Sequence, residues 1–116
     1  MIDIDPDRFQ ALAESAYAQI PAELTALLDN VALFVEDDAP AYNDGLLGLY
    51  VGTPLTERDT SYAGAMPDRI MIYRRPILSI CETEDDVVRE VAITVVHEVA
   101  HHFGIDDERL HELGYA

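Results

Sequence analysis

The sequence predicts one α+β domain, a small β-sheet packed against helices. Three observations lead there. A long segment, 84–103, carries cap signals at both ends. Short β-rich runs bounded by glycine, proline or acidic turns lie upstream of it. A length of 116 residues leaves room for one core.

The first helix is expected over 7–19, with Asp5 as N-cap and Pro6 at the first helical position. Phe9, Leu12, Ala13, Ala16 and Tyr17 then form one apolar stripe. Pro21 starts a shorter helix over 23–28. The run 31–36 is β-rich and ends in acids, which predicts a strand, and 37–43 reads as loop. A second strand is expected over 46–51, between Gly45 and Gly52. The polar stretch 53–68 holds Pro54, Gly64 and Pro67 and reads as a long loop of the kind that often carries function. Alternation and Ile/Tyr content predict a third strand over 69–75, stopped by Pro76, with one or two helical turns over 76–81.

The long helix is the hardest element to read. Val87, Val88, Val91, Ile93, Thr94, Val95, Val96 and Val99 are β-branched and favour a strand by propensity. Thr83 as N-cap, acids at 84–86 and Gly104 as terminator favour a helix. The Val88/Val91/Val95/Val99 spacing agrees with the helical period. So apolar a helix must be covered on most sides. A short last helix is expected over 107–113.

Hydrophobic residues make up 49% and charged residues 26%, as in soluble globular proteins. Acids outnumber bases 23 to 7, for a net charge of −16, which repels phosphate backbones and argues against nucleic acid as a partner. Cys81 is the single cysteine, so no internal disulfide forms, which fits a reducing cytoplasm. The first seven residues hold three Asp and no basic flank, unlike a signal peptide. No window reaches the ~20 apolar residues of a membrane span, so no membrane association is expected. There is no internal repeat or low-complexity segment.

The chemistry concentrates in His97-Glu98-Val99-Ala100-His101, continued by Gly104 and Asp107. Imidazoles four positions apart share one helix face and can close on one Zn²⁺ at ~2.0–2.1 Å. Glu98 between them sits where a general base for a metal-activated water belongs. Read as structural residues instead, two buried imidazoles and a buried Glu would be costly on an apolar helix. The third ligand is open. Gly104 lets the chain turn back sharply, and Asp107 follows three residues later. Asp107 is preferred; His111, Asp106 and Glu112 are its rivals, although Asp106 also suits an N-cap. A His/His/Asp set accommodates Fe²⁺ as well as zinc.

Other candidates have plainer readings beside the functional ones. His102 points about 100° away from His101 and suits a cleft edge or a supporting hydrogen bond. Cys81 reads as a buried structural thiol. Arg74-Arg75 reads as charge compensation, or as one arginine beside the cleft holding a carboxylate. Tyr115 supports the site or donates to an oxyanion, or else belongs to a frayed end.

On these residues the chain resembles the small bacterial zincin-like metallopeptidase family of single-domain proteins. The resemblance is specific at His97-Glu98-x-x-His101-x-x-Gly104-x-x-Asp107. It extends to Gly48-Leu49-Tyr50-x-Gly52-x-Pro54-Leu55-Thr56-Glu57-Arg58 and to Ile72-Tyr73-Arg74-Arg75-Pro76-Ile77, about the C-terminal two thirds. It implies a minimal zincin-like fold, a small mixed sheet of about three to four strands against helices that include the H-E-x-x-H helix. It also implies an Asp-zincin-like site of His97, His101 and Asp107, with Glu98 as base. Two departures stand out. Metzincins have His at the place of Asp107, and a methionine turn beyond the motif, whereas Met1, Met66 and Met71 all precede it. The bacterial rRNA-maturation endoribonucleases share the spacing, but Glu98, Asp107 and the net charge argue against that match.

The expected function is therefore a zinc-dependent peptidase acting on a peptide or protein, with the 69–75 strand as an edge for strand addition. The competing class is a non-catalytic metal-binding or partner-binding module on the same scaffold. An open strand edge on so small a sheet also invites a homodimer.

Overall fold

The computed structural model describes residues 1–28, 31–52 and 68–115. Helix α1 spans Pro6–Ala18, and Asp5 caps it by accepting from the Arg8 N–H at 2.8 Å. Its stripe of Phe9, Leu12, Ala13 and Ala16 is buried. Helix α2, Ala22–Thr25, continues as a 3₁₀ turn, Ala26–Leu28. Strand β1 is Val31–Glu36, and a 3₁₀ turn, Ala41–Asn43, leads toward β2, Gly48–Val51. Strand β3, Asp68–Tyr73, runs directly into α3, Arg74–Ser79. Helix α4 is Glu84–Phe103 and α5 is Asp107–Glu112.

Among the described residues the sheet has three strands, in the order β1-β3-β2. β1 runs parallel to β3 and β2 antiparallel to it, with Phe34 opposite Met71 and Tyr50 opposite Ile70. The fold is thus α+β with a mixed sheet, as expected. Helix α4 packs between α1 and the β2–β3 side of the sheet. Five of its six residues over 91–96 are buried, which is how so apolar a helix is satisfied. Packing overrides the strand propensity of its valines.

The helix ends are held as the sequence indicates. Thr83 accepts from Asp86 N–H, and the Asp86 carboxylate accepts from Thr83 N–H in return, a complete capping box. At the other end Gly104 takes φ +71°, a left-handed turn that a side chain would oppose.

Several expectations need correction. β2 begins at Gly48, not at 46. The third strand stops at Tyr73, because Arg74 and Arg75 form the first turn of α3 and Pro76 sits within that turn, where its missing N–H has no partner to lose. The 76–81 turns therefore start earlier and end at Ser79. Most consequentially, β3 is the central strand, paired on both sides, so it offers no edge for strand addition; among the described residues β1 and β2 are the edges. The loop expected over 53–68 lies outside the described residues apart from Asp68, which belongs to β3; the stretch 54–58 of the resemblance also lies outside them. Among the described residues no helix is long and apolar enough to cross a membrane.

Candidate metal and peptidase site

The site is built where β2 crosses α4. Gly48 makes the approach possible. A Cβ there would sit 2.6 Å from Thr94 Cγ2 and 2.9 Å from the Met71 carbonyl oxygen, so only glycine lets the strand lie this close to the helix. Two residues on, the outward main-chain N–H of Tyr50 donates to Glu98 Oε1 at 2.8 Å. The alternation of an antiparallel pair explains the direction. Tyr73 N–H bonds Leu47 O across the β2–β3 seam, so Gly48 and Tyr50 turn their main-chain groups to the other edge, toward α4.

Tyr50 is held by its side chain as well. Its hydroxyl donates to Asp68 Oδ2 at 2.6 Å. Its ring stacks on His102 with centroids 3.9 Å apart and planes 16° from parallel. Phe103 meets both rings edge-on. Neither Tyr50 nor Gly48 stands out in the sequence as a site residue. The available signal was a glycine interrupting an apolar strand, which marks a close backbone approach.

His97 and His101 are exposed on α4, one turn apart, and Glu98 beside them is half-buried. His97, Glu98, Thr94 and Glu90 line one wall of a cleft of about 340 Å³, and Gly48 and Leu47 line the other. His97 Nε2 lies 2.9 Å from the Tyr115 carbonyl oxygen. A carbonyl only accepts, so Nε2 carries the proton in this arrangement. Tyr115 is half-buried rather than frayed; its N–H donates to Leu110 O, and its main-chain carbonyl, not its phenol, reaches His97.

The candidates for a third ligand lie on and before α5. Asp106 is the N-cap, its carboxylate accepting from Arg109 N–H at 2.8 Å. Glu112 accepts from Arg109 Nη1 at 2.8 Å. Asp107 is the first residue of α5 and exposed, and His111 is exposed in its last turn. Among the described residues no three His, Cys, Asp or Glu side chains converge on one point. The donor types of His97, His101 and Asp107 nonetheless suit zinc: two imidazoles one turn apart on α4 and a carboxylate just past its turning glycine.

The arginine pair lies away from the cleft. Arg74 is buried, with Nε donating to Asp37 Oδ1 and Nη1 to the Ile4 carbonyl, both at 2.8 Å. Arg75 Nη1 donates to Asp38 Oδ2 at 2.6 Å. Both fix the corner after β1, so the substrate-holding alternative is set aside. Tyr73, the last residue of β3, is buried. Its phenol pKa is raised by burial, with smaller contributions from the charges of Tyr42, Glu36 and Glu98.

Comparison with known proteins bears on this arrangement. No curated protein matches the sequence. Among solved structures, a conserved hypothetical protein of T. thermophilus has the same fold, with a TM-score of 0.57 and 24% identity over 86% of this chain and 94% of that one. The family model for zincin-like metallopeptidases matches residues 28–115, which takes in β1 to α5 and every residue of the candidate site. The chain belongs to the zincin-like metallopeptidase family.

Proposed function

We propose that this protein is a zinc-dependent peptidase whose general base is Glu98. The observation that carries the reading is the main-chain anchor on Glu98: a carboxylate between two helix-borne imidazoles is fixed to the edge strand along which a peptide could lie. His97 and His101 would hold the metal, with Asp107 as the third ligand. When bound, zinc supplies Lewis acidity toward a carbonyl oxygen and lowers the pKa of a water.

The chain's own groups do the rest. Tyr50 N–H fixes Oε1 of Glu98, and Oε2 is the oxygen we assign to take the proton of the attacking water and pass it to the leaving amine. The outward edge of β2 at Gly48 faces α4, and an extended substrate adding there would lie across Glu98. β2 thus replaces 69–75 as the docking edge.

The test is hydrolysis of a peptide library by zinc-loaded protein. Wild type should cleave, and Glu98→Gln should lose about 10²–10⁴-fold in rate, the usual worth of a positioned base. Wild type cleaving no faster than Glu98→Gln would refute the reading.

A further inference from the structure

Glu98 and His102 stand one turn apart on α4, so they share a stripe. One residue of β2 touches both. Tyr50 gives its main-chain N–H to Glu98 Oε1 at 2.8 Å and lays its ring on the His102 imidazole, with centroids 3.9 Å apart. Its hydroxyl is fixed on Asp68, at the start of the neighbouring strand. His102 is itself braced edge-on by Phe103, with ring centroids 5.0 Å apart.

β2 is four residues long and, among the described residues, lies at the edge of the sheet beside β3. Its pairing to β3 and the close approach of Gly48 to Thr94 set how near the strand lies to α4. A single hydrogen bond from its main chain would let Glu98 swing, since a glutamate has three rotatable bonds and is only half-buried here. The stack adds a second point of attachment on the same stripe, where a planar ring is worth more than a flexible side chain. We propose that His102 is a positioning residue. Its imidazole clamps Tyr50 so that the Tyr50 N–H stays on Oε1 and the other oxygen of Glu98 is held toward the cleft.

The proposal rests on the reading of Glu98 as base, but its test does not. Amide exchange, followed residue by residue in ¹⁵N spectra of the full chain, reads the Tyr50 N–H directly. His102→Ala should speed exchange at Tyr50 by about fivefold, while Val95 and Val99 on α4 stay unchanged. His102→Phe keeps a planar ring and should return Tyr50 to within about twofold of wild type. In peptide hydrolysis, His102→Ala should lower kcat and leave KM unchanged, with His102→Phe again restoring it.

A Tyr50 amide indifferent to His102→Ala, an acceleration spread evenly over α4, or no rescue by His102→Phe would each overturn the proposal. Failure of hydrolysis in every variant counts instead against the base role of Glu98, because the exchange result stands without it.

Discussion

Cys81 shows how completely the environment of one residue can decide its chemistry. The side chain is fully buried, and burial, aided by the charges of Glu90 and Asp86, pushes the thiol pKa up to about 11. The thiolate is the reactive form, so native protein at about pH 8 should not react with a disulfide reagent such as DTNB, and one thiol per chain should appear on unfolding in urea. Rapid labelling of the native protein would contradict the burial described here. At this scale the sequence was informative wherever a residue type has few uses. Asp5, Thr83 and Gly104 could be assigned as caps and terminator, because the groups they satisfy are the unpaired ends of the helices themselves. Arg74 and Arg75 could not be assigned, because their partners Asp37 and Asp38 become neighbours only through the parallel pairing of β1 with β3.

Among the elements, β2 and α4 depend on each other through Gly48. Adding a methyl group there forces Thr94 and the Met71 carbonyl away, and overpacking of this kind costs about 1–3 kcal/mol. Gly48→Ala should therefore lower the urea midpoint and also loosen the Tyr50–Glu98 contact, since moving the strand off the helix lengthens that hydrogen bond. A variant as stable as wild type with an unchanged Tyr50 amide signal would show that the strand does not need so close an approach. The existence and order of the elements could be read from the sequence because the periodicities and breakers are local. Strand order could not. The alternation in 69–75 describes a strand equally well at the edge or the centre, and only the parallel pairing with β1 decides that β3 is central. The same holds for the site. The spacing of His97, Glu98 and His101 is local and legible, whereas the main-chain donor to Glu98 comes from 48 residues away.

At the level of the whole molecule, charge sets the response to pH. Asp37 is held below the usual carboxylate range chiefly by its hydrogen bond from Arg74, Glu84 by that from Arg8, and Asp86 by the Glu82 N–H. A carboxylate whose pKa is lower folded than unfolded stabilises above its unfolded value, and that stabilisation is lost as pH falls through the folded value. All three are largely solvent-screened, so each effect is small and their sum is what is visible. The urea midpoint should thus fall on acidification from about pH 5 to pH 3. A midpoint that rises over that interval would mean that relief of repulsion among the excess acids outweighs these contacts.

If His97 and His101 form a metal pair, zinc stabilises the fold through them. Thermal unfolding with and without zinc, in wild type and His97→Ala, measures that stabilisation. A ligand at about 100 times its Kd adds about 2.7 kcal/mol, which for a domain of this size means a rise in Tm on the order of 10 °C. Wild type should show that rise and lose it to EDTA, and His97→Ala should show little or none. An equal rise in His97→Ala would place zinc elsewhere and rule out the His97–His101 pair.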